Sequence, residues 1–359
     1  MQSLFIRSGQ GDYSVEFNKQ LDLLVQKIQE IPNSVLLIDR QVANLYSGAL
    51  TRLLEKMPSH LIDANEDEKT LAGVTRVLNF LQETNSVKQT RVIAIGGGII
   101  QDIASFSSHI YYRGAKWVFV PTTLLAMSDS CIGAKCGINF NTFKNQLGVF
   151  HSPSAVYICL PFLDTLTDTD IRSGYGEILK LMLTGSGELF QQLKKAFDRS
   201  GFRNPQLTEL IYQSLKVKKQ IIEEDEYEKD LRRILNFGHT FGHSLESITQ
   251  HEIPHGLAVA WGVDIANFIA MRRGMLSERE FHFIHEVIEK HFRFPLSHKI
   301  SVSALIQAAR RDKKVADGKL TLILMEQPGK LHIVSTPFDP MLERVISEYL
   351  EFSHVLDRN

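Results

Sequence analysis

Three short apolar runs in the first third of the chain, separated by stretches of helical periodicity, leave few folds open to it. Residues 34–39 form a continuous apolar run ending in an acid, and residues 69–84 then have helical periodicity. Residues 90–96 repeat the apolar pattern and close on Gly96, Gly97 and Gly98; residues 99–109 read as a helix, and residues 116–121 form a third run stopped by proline. Strands that are apolar throughout are buried on both faces, and the helices between them are the crossovers that parallel pairing needs. The order predicts a parallel α/β sheet with nucleotide-binding geometry.

From about residue 168 the periodicity is helical, over residues 171–184, 187–197, 207–222, 232–248, 255–273, 278–290 and 302–311, with a small hairpin at 320–324 and 330–334. A chain of 359 residues exceeds one small core, so the reading divides it into residues 1–167 and 168–359. A net charge of −1 gives no global field for nucleic acid or an anionic membrane. Cys131, Cys136 and Cys159, odd in number and without Cys-x-x-Cys spacing, argue against a disulfide framework and for a reduced, cytoplasmic setting. The N-terminus has no signal pattern, and the longest apolar run, residues 257–271, holds Asp264 and Asn267 and is too short to span a membrane.

The most informative local feature is residues 235–243, Leu-Asn-Phe-Gly-His-Thr-Phe-Gly-His. His239 and His243 are four apart, so on a helix their side chains share a face with Arg232 and Asn236 upstream. Such a pair is either incidental or a metal site; a third histidine, His255, at a helix start after Pro254, favours metal. Gly96, Gly97 and Gly98 let main-chain N–H groups approach a pyrophosphate at a helix N-terminus, although the G-x-G-x-x-G spacing is absent. Asp39 stands where a ribose hydroxyl is often held, or is a helix N-cap. Lys135, Lys144 and Asn145, in a turn-rich stretch, suit phosphate or carboxylate, or are surface groups. Glu177 and Lys180, three apart on an apolar helix, are either an ion pair or part of a metal site. Lys218 and Glu228 lie upstream of Arg232, where the charged stretch 223–230 has the composition of a solvated face.

Further blocks accompany these: Tyr112-Arg113-Gly114, Pro121 to Leu125, Asp129-Ser130, Gly133 to Asn139, Asp225-Glu226, His255-Gly256 and Asp312 to Lys314. In this order, from about residue 39 to residue 314, they resemble 3-dehydroquinate synthase within the sugar phosphate cyclase group. The resemblance implies an α/β N-terminal dinucleotide-binding domain with a parallel sheet and a mainly α-helical C-terminal metal- and substrate-binding domain. Glu177, His239 and His255 match the ligands of a divalent metal, normally Zn2+, with Co2+ as an alternative. Lys218 and Arg232 match the groups that hold a substrate carboxylate. Lys135, Asn145, Asn236 and His243 match phosphate-side and ring contacts, with Lys144 beside them and Lys314 a late phosphate-binding lysine. Asp129, Lys180 and Glu228 match ring-hydroxyl or network positions; with Lys135 and His243 they make the implied catalytic set. Arg113 matches an arginine that reaches the phosphate in the neighbouring subunit's site, implying a homodimer. For NAD+, the corresponding residues are Asp39, Glu66, Lys69, Gly97, Gly98, Asp102, Thr122, Thr123, Phe162 and Thr165.

The implied substrate is a small phosphorylated sugar acid, 3-deoxy-D-arabino-heptulosonate 7-phosphate. It is transiently oxidised by NAD+, loses phosphate, is reduced again and closes in an aldol step to 3-dehydroquinate. The sequence departs from the family pattern at Gln101, Ala134, Cys136, Gly176 and Leu257; Leu257 replaces a glutamate able to orient His255 or a neighbour. These departures suit another sugar phosphate cyclase as the alternative. Behind it stand a metal-dependent polyol dehydrogenase, which would accumulate NADH, and a non-catalytic binding paralogue.

Overall fold

The computed structural model describes residues 2–141, 143–297, 299–311, the backbone of 315–316, and 319–353. The chain forms two compact units, Met1–Thr167 with Lys219–Tyr227, and Asp168–Lys218 with Glu228–Asn359.

The first unit holds a seven-stranded sheet. Its strands are β1 (Ser3–Ile6), β2 (Tyr13–Asn18), β3 (Ser34–Asp39), β4 (Ser59–Ile62), β5 (Arg91–Gly96) and β6 (Trp117–Pro121), with β9 (Ala155–Cys159) after the hairpin β7 (Lys135–Phe140) and β8 (Phe143–Phe150). The order is β1-β2-β9-β6-β5-β3-β4, parallel except for the antiparallel pair β1–β2. Helices α1 (Leu21–Gln29), α2 (Arg40–Leu45), α3 (Ser47–Lys56), α4 (Leu71–Glu83) and α5 (Gly98–Ile110) connect the strands. Val35 to Ile38, Val92 to Ile95 and Val118 to Val120 are buried, as continuous apolar strands covered on both faces must be. After β3 the chain steps outward to the edge strand β4 and then crosses back to place β5 on the other side of β3. This reversal is a topological switch point, and the carboxyl ends of β3 and β5 present Asp39 and Gly96 there.

The stretch read as turn-rich around Lys135 and Lys144 is the β7–β8 ladder, whose short strands carry glycine, lysine and asparagine among few apolar residues. Lys219–Tyr227, placed on sequence in the second part, packs with the first unit: Arg7 N donates to Glu223 Oε1 at 2.7 Å and Gly9 N to Glu226 Oε2 at 2.8 Å. Its charges therefore serve backbone donors rather than only a solvated face.

The second unit is mainly helical: α6 (Asp168–Gly185), α7 (Gly187–Ser200), the first part of α8 (Leu207–Glu224), α9 (His239–Ile248), α10 (His255–Arg272), α11 (Glu278–Phe292), α12 (Val302–Arg310) and α13 (Pro340–Phe352). A small sheet of β10 (Val315–Ala316), β11 (Lys319–Gln327) and β12 (Lys330–Pro337) precedes α13. Helix α10 is buried from Gly256 to Ala270, which explains its apolar run as a central core helix. No helix among the described residues is long and apolar enough to cross a membrane.

The polar residue Asp264 interrupts that core helix and ties it to its neighbours. Its Oδ2 accepts from His285 Nδ1 of α11 at 2.7 Å and from Tyr349 Oη of α13 at 2.8 Å. Burial opposes a charge on His285, but the Asp264 carboxylate outweighs it and holds the pKa above its usual 6.5. This stabilisation is complete below 6.5 and is lost as pH rises through the higher folded value. The urea midpoint is therefore expected to fall with pH above 6.5, with a shallower slope in His285→Gln, and equal slopes would refute the assignment.

Residues 232–248 are not one helix. Leu231–Asn236 is a 3-10 turn, and α9 begins only at His239. Gly238 breaks the run with φ of 78°, where a Cβ would also stand 2.6 Å from the Val259 carbonyl oxygen. Arg232 and Asn236 thus do not share a helical face with the histidines.

Candidate metal and substrate centre

In the second unit, glycines set the closest helix approaches. A Cβ on Gly176 of α6 would stand 1.9 Å from the Gly256 carbonyl of α10, and one on Gly262 of α10 would stand 1.9 Å from the Gly238 carbonyl. The two backbones of α6 and α10 touch beside Glu177 and His255, and Gly256 N donates to Ser173 Oγ at 3.0 Å. Glu177, only 1% exposed, lies with Oε1 3.1 Å from His255 Nε2 and 3.6 Å from His239 Nε2. One donor nitrogen from each of His239, His243 and His255 falls within 4.8 Å of the others.

The opposite nitrogens of two rings are already engaged. His239 Nδ1 donates to the Phe237 carbonyl at 3.2 Å, and His255 Nδ1 lies 3.1 Å from Glu246 Oε2. The Nε2 atoms of both rings thus face Glu177 Oε1, the arrangement of metal-ligating histidines. One carboxylate oxygen and imidazole nitrogens are the donor set for Zn2+ or Co2+, and the residues present fit such an ion. Burial disfavours charge on His255, but its bonds to Glu177 and Glu246 raise the pKa to about 10. Burial likewise raises the Glu246 carboxyl, yet the His255 bond and the field of nearby histidines bring it below the usual value.

Around this cluster, Lys180 Nζ is 2.5 Å from Glu177 Oε2, both side chains being almost wholly buried. Asn236 Nδ2 donates to Glu228 Oε1 at 2.5 Å, and Glu228 holds a left-handed φ of 58°. Lys218 and Arg232 are buried cations of the same unit. Arg233, for which the sequence carries no separate signal beside Arg232, lines a cavity of about 160 Å³ with Glu228, Asn236, Thr240, Thr321 and Ile323. Glu246 is a further member of the cluster: its place seven residues after His239 and three after His243, a spacing legible in the sequence, puts it on their face of α9. Lys314 lies outside the described residues.

In the first unit, Asp39 caps α2, accepting from Gln41 N at 2.9 Å, so the N-cap role holds whatever else it binds. Burial raises its carboxyl pKa against the pull of those N–H groups. Gly97 caps α5, where a Cβ would meet Thr123 Cγ2 at 3.0 Å, while a Cβ on Gly98 would meet nothing within 4 Å. Thr122 N donates to the Gly96 carbonyl at 3.0 Å. Buried Lys69 pairs with Asp102 at 2.6 Å, and Asp102 accepts from Gly137 N at 3.0 Å. Burial nevertheless raises the Asp102 pKa above its ordinary value. Next to Asp102, the Cys136 thiol is pushed up to about 11 by burial and stays protonated.

Asn139, not singled out from sequence, connects three expected residues. It donates to Glu66 Oε1 at 2.7 Å, accepts from Asn145 N at 2.9 Å, and its own N donates to the Lys69 carbonyl at 2.8 Å. Lys144 Nζ lies 4.0 Å from Glu66 Oε1. Phe162 and Thr165 both meet Tyr46, by an edge contact at 5.0 Å and a hydroxyl pair at 3.0 Å. Asp129 is buried in the π-helical turn Ala126–Ser130, a geometry frequent at functional sites. Lys135 is exposed at the start of β7, after Ala134 at φ 61°. Arg113 is exposed and follows Tyr112 in the left-handed region, with φ of 60° and 49°. Consecutive non-glycine residues there are strained, as at functional loops.

By architecture the chain has the fold of the sugar phosphate cyclases. A 2-epi-5-epi-valiolone synthase from Streptomyces hygroscopicus subsp. jinggangensis, solved with NAD+ and Zn2+ bound, matches with a TM-score of 0.85 at 27% identity, over 97% of this chain and 98% of that one. A 2-deoxy-scyllo-inosose synthase complexed with carbaglucose-6-phosphate, NAD+ and Co2+ shares the fold at 24% identity, TM-score 0.85, over 97% of this chain and 100% of that one. Residues 59–173 match the family model for the 3-dehydroquinate synthase N-terminal region, and residues 174–315 that for the C-terminal region. A 3-dehydroquinate synthase of Alkaliphilus metalliredigens is 34% identical over 346 residues, spanning 94% of this chain and 96% of that protein. The chain belongs to the 3-dehydroquinate synthase family.

Proposed function

We propose that this protein converts 3-deoxy-D-arabino-heptulosonate 7-phosphate to 3-dehydroquinate and inorganic phosphate, with NAD+ and a divalent metal, Zn2+ or Co2+. The observation that carries this reading is the convergence of His239 and His255 Nε2 on Glu177 Oε1, in a unit that also buries Lys218 and Arg232. When bound, the ion supplies Lewis-acid polarisation and the dinucleotide a reversible hydride acceptor. Lys218 and Arg232 bind the substrate carboxylate, the role the resemblance assigns them, and both are buried in this unit. Glu228, held by Asn236, accepts from ring hydroxyls, and His243 takes part beside them. Asp129 and Lys180 complete the catalytic set with Lys135.

The first unit takes the dinucleotide at the switch point, through Asp39, Glu66, Lys69, Gly97, Gly98, Asp102, Thr122, Thr123, Phe162 and Thr165. Its Lys135, Lys144 and Asn145 hold phosphate, the role the resemblance assigns them. In a homodimer, Arg113 serves the phosphate of the neighbouring site, and its strained, exposed backbone supports such a presented role.

The alternative is a cyclase with a different sugar phosphate, favoured by the match to the valiolone synthase. Phosphate release from the heptulosonate, against sedoheptulose 7-phosphate and glucose 6-phosphate, separates the two. We expect release only from the carboxylate-bearing substrate, with no net NADH; release only from a substrate lacking the carboxylate would overturn the assignment.

A further inference from the structure

Helix α9 carries one carboxylate on the histidine face, Glu246, and nothing in the proposed reaction uses it. The turn after α9 reverses through Gln250 and His251, both left-handed with φ of 50° and 65°, so that α10 starts back against α9. His255 is the first residue of α10, and its ring lies between two carboxylates, Glu246 Oε2 at 3.1 Å on Nδ1 and Glu177 Oε1 at 3.1 Å on Nε2. Glu246's side chain is 15% exposed and that of His255 35%, so water has limited access to the carboxylate end of the contact. Leu257, where the family pattern has glutamate, is wholly buried and offers no polar atom to the ring.

We propose that Glu246 is a positioning residue that fixes the orientation of His255, accepting from Nδ1–H so that Nε2, which faces Glu177, is the nitrogen left to ligate the ion. A free imidazole would rotate about χ2 and could offer either nitrogen to an ion; the Glu246 contact holds the ring and retains the Nδ1 proton, so the proton that leaves on metal binding is the one Nε2 shares with Glu177. Glu246 thereby sets the affinity of the centre for its divalent cation. The inference rests on the reading that Glu177, His239 and His255 hold that cation.

The test measures binding of Zn2+ to metal-stripped full-length protein, in competition with a chromophoric chelator, together with the visible spectrum of the Co2+-loaded form. Glu246→Ala is expected to weaken binding about 10- to 100-fold, the range for loss of an outer-shell partner of a ligating histidine. Phosphate release should return at saturating metal, which separates a positioning role from loss of a ligand. Glu246→Gln, whose amide oxygen can still accept from Nδ1–H, should fall between wild type and alanine. Nitrogen-15 spectra of the zinc-loaded wild type provide a readout independent of any variant: His255 should carry its proton on Nδ1. Affinity within twofold of wild type for folded Glu246→Ala, or a proton on Nε2, overturns the proposal. Failure of the unsubstituted protein to bind an ion overturns it together with the metal reading, whereas binding unaffected by Glu246→Ala overturns it alone.

Discussion

Glu177→Ala is expected to abolish phosphate release and to lower the stability of the metal-free protein at the same time. The functional loss follows from geometry: the Glu177 carboxylate is the anionic member of the donor cluster, and both histidine Nε2 atoms converge on its Oε1. Removing it should cost more affinity than the roughly hundredfold upper range for losing an outer partner. The stability loss has a different origin. Lys180 has its ammonium 2.5 Å from Glu177 Oε2, and its side chain is 3% exposed. Deleting the carboxylate removes the counter-charge 2.5 Å from that buried ammonium, a loss that costs about 3–5 kcal/mol for buried pairs.

The two effects separate in a double variant. Glu177→Ala with Lys180→Met removes both charges, so much of the lost stability should return while metal affinity and phosphate release do not. Urea denaturation of the metal-free proteins, metal content after gel filtration and phosphate release give the three readouts. Retention of one tightly bound ion by Glu177→Ala would remove this residue from the ligand set.

How much of this was visible beforehand depended on how local each cause is. Strands β3, β5 and β6 are buried on both faces, so each appears as an unbroken apolar run. Helices α6 to α12 each bury a stripe or more of their surface and leave a 3.6-residue period. Strand β9 is equally buried, but its five residues follow the β7–β8 hairpin without the helical spacer that marked the others. The break between Asn236 and His239 was hidden because its cause is tertiary: Gly238 must admit the Val259 carbonyl of α10. The resemblance singled out Glu177, His239 and His255, whereas Asn139 and Glu246 act through neighbours distant in sequence. Their roles depend on where β7 meets Glu66 and where α10 folds back on α9.

The largest purely steric effect is expected from Gly256→Ala. An added Cβ would stand 1.7 Å from the Ser173 carbonyl oxygen, 2.6 Å from its carbon and 3.1 Å from Ser173 Cα. These are backbone atoms, so no side-chain rotation relieves the collision and helices α6 and α10 must separate. Gly176 faces the same crossing from the other side, so sliding the helices past one another offers little relief. Overpacking of this kind costs about 1–3 kcal/mol and occasionally more. The separation acts directly on the candidate centre. His255 adjoins Gly256, and Glu177 lies one helical turn after Ser173, so the 3.1 Å approach of His255 Nε2 to Glu177 Oε1 should open. A misplacement of about 1 Å can cost on the order of a hundredfold in rate. We therefore expect Gly256→Ala to lose at least that much kcat/KM and to bind metal more weakly, with helix content retained by circular dichroism. Gly48→Ala serves as the control, since a Cβ there meets nothing within 4 Å, and its activity should match wild type. Wild-type kcat/KM and metal affinity in Gly256→Ala would show that the close crossing of α6 and α10 does not align these ligands.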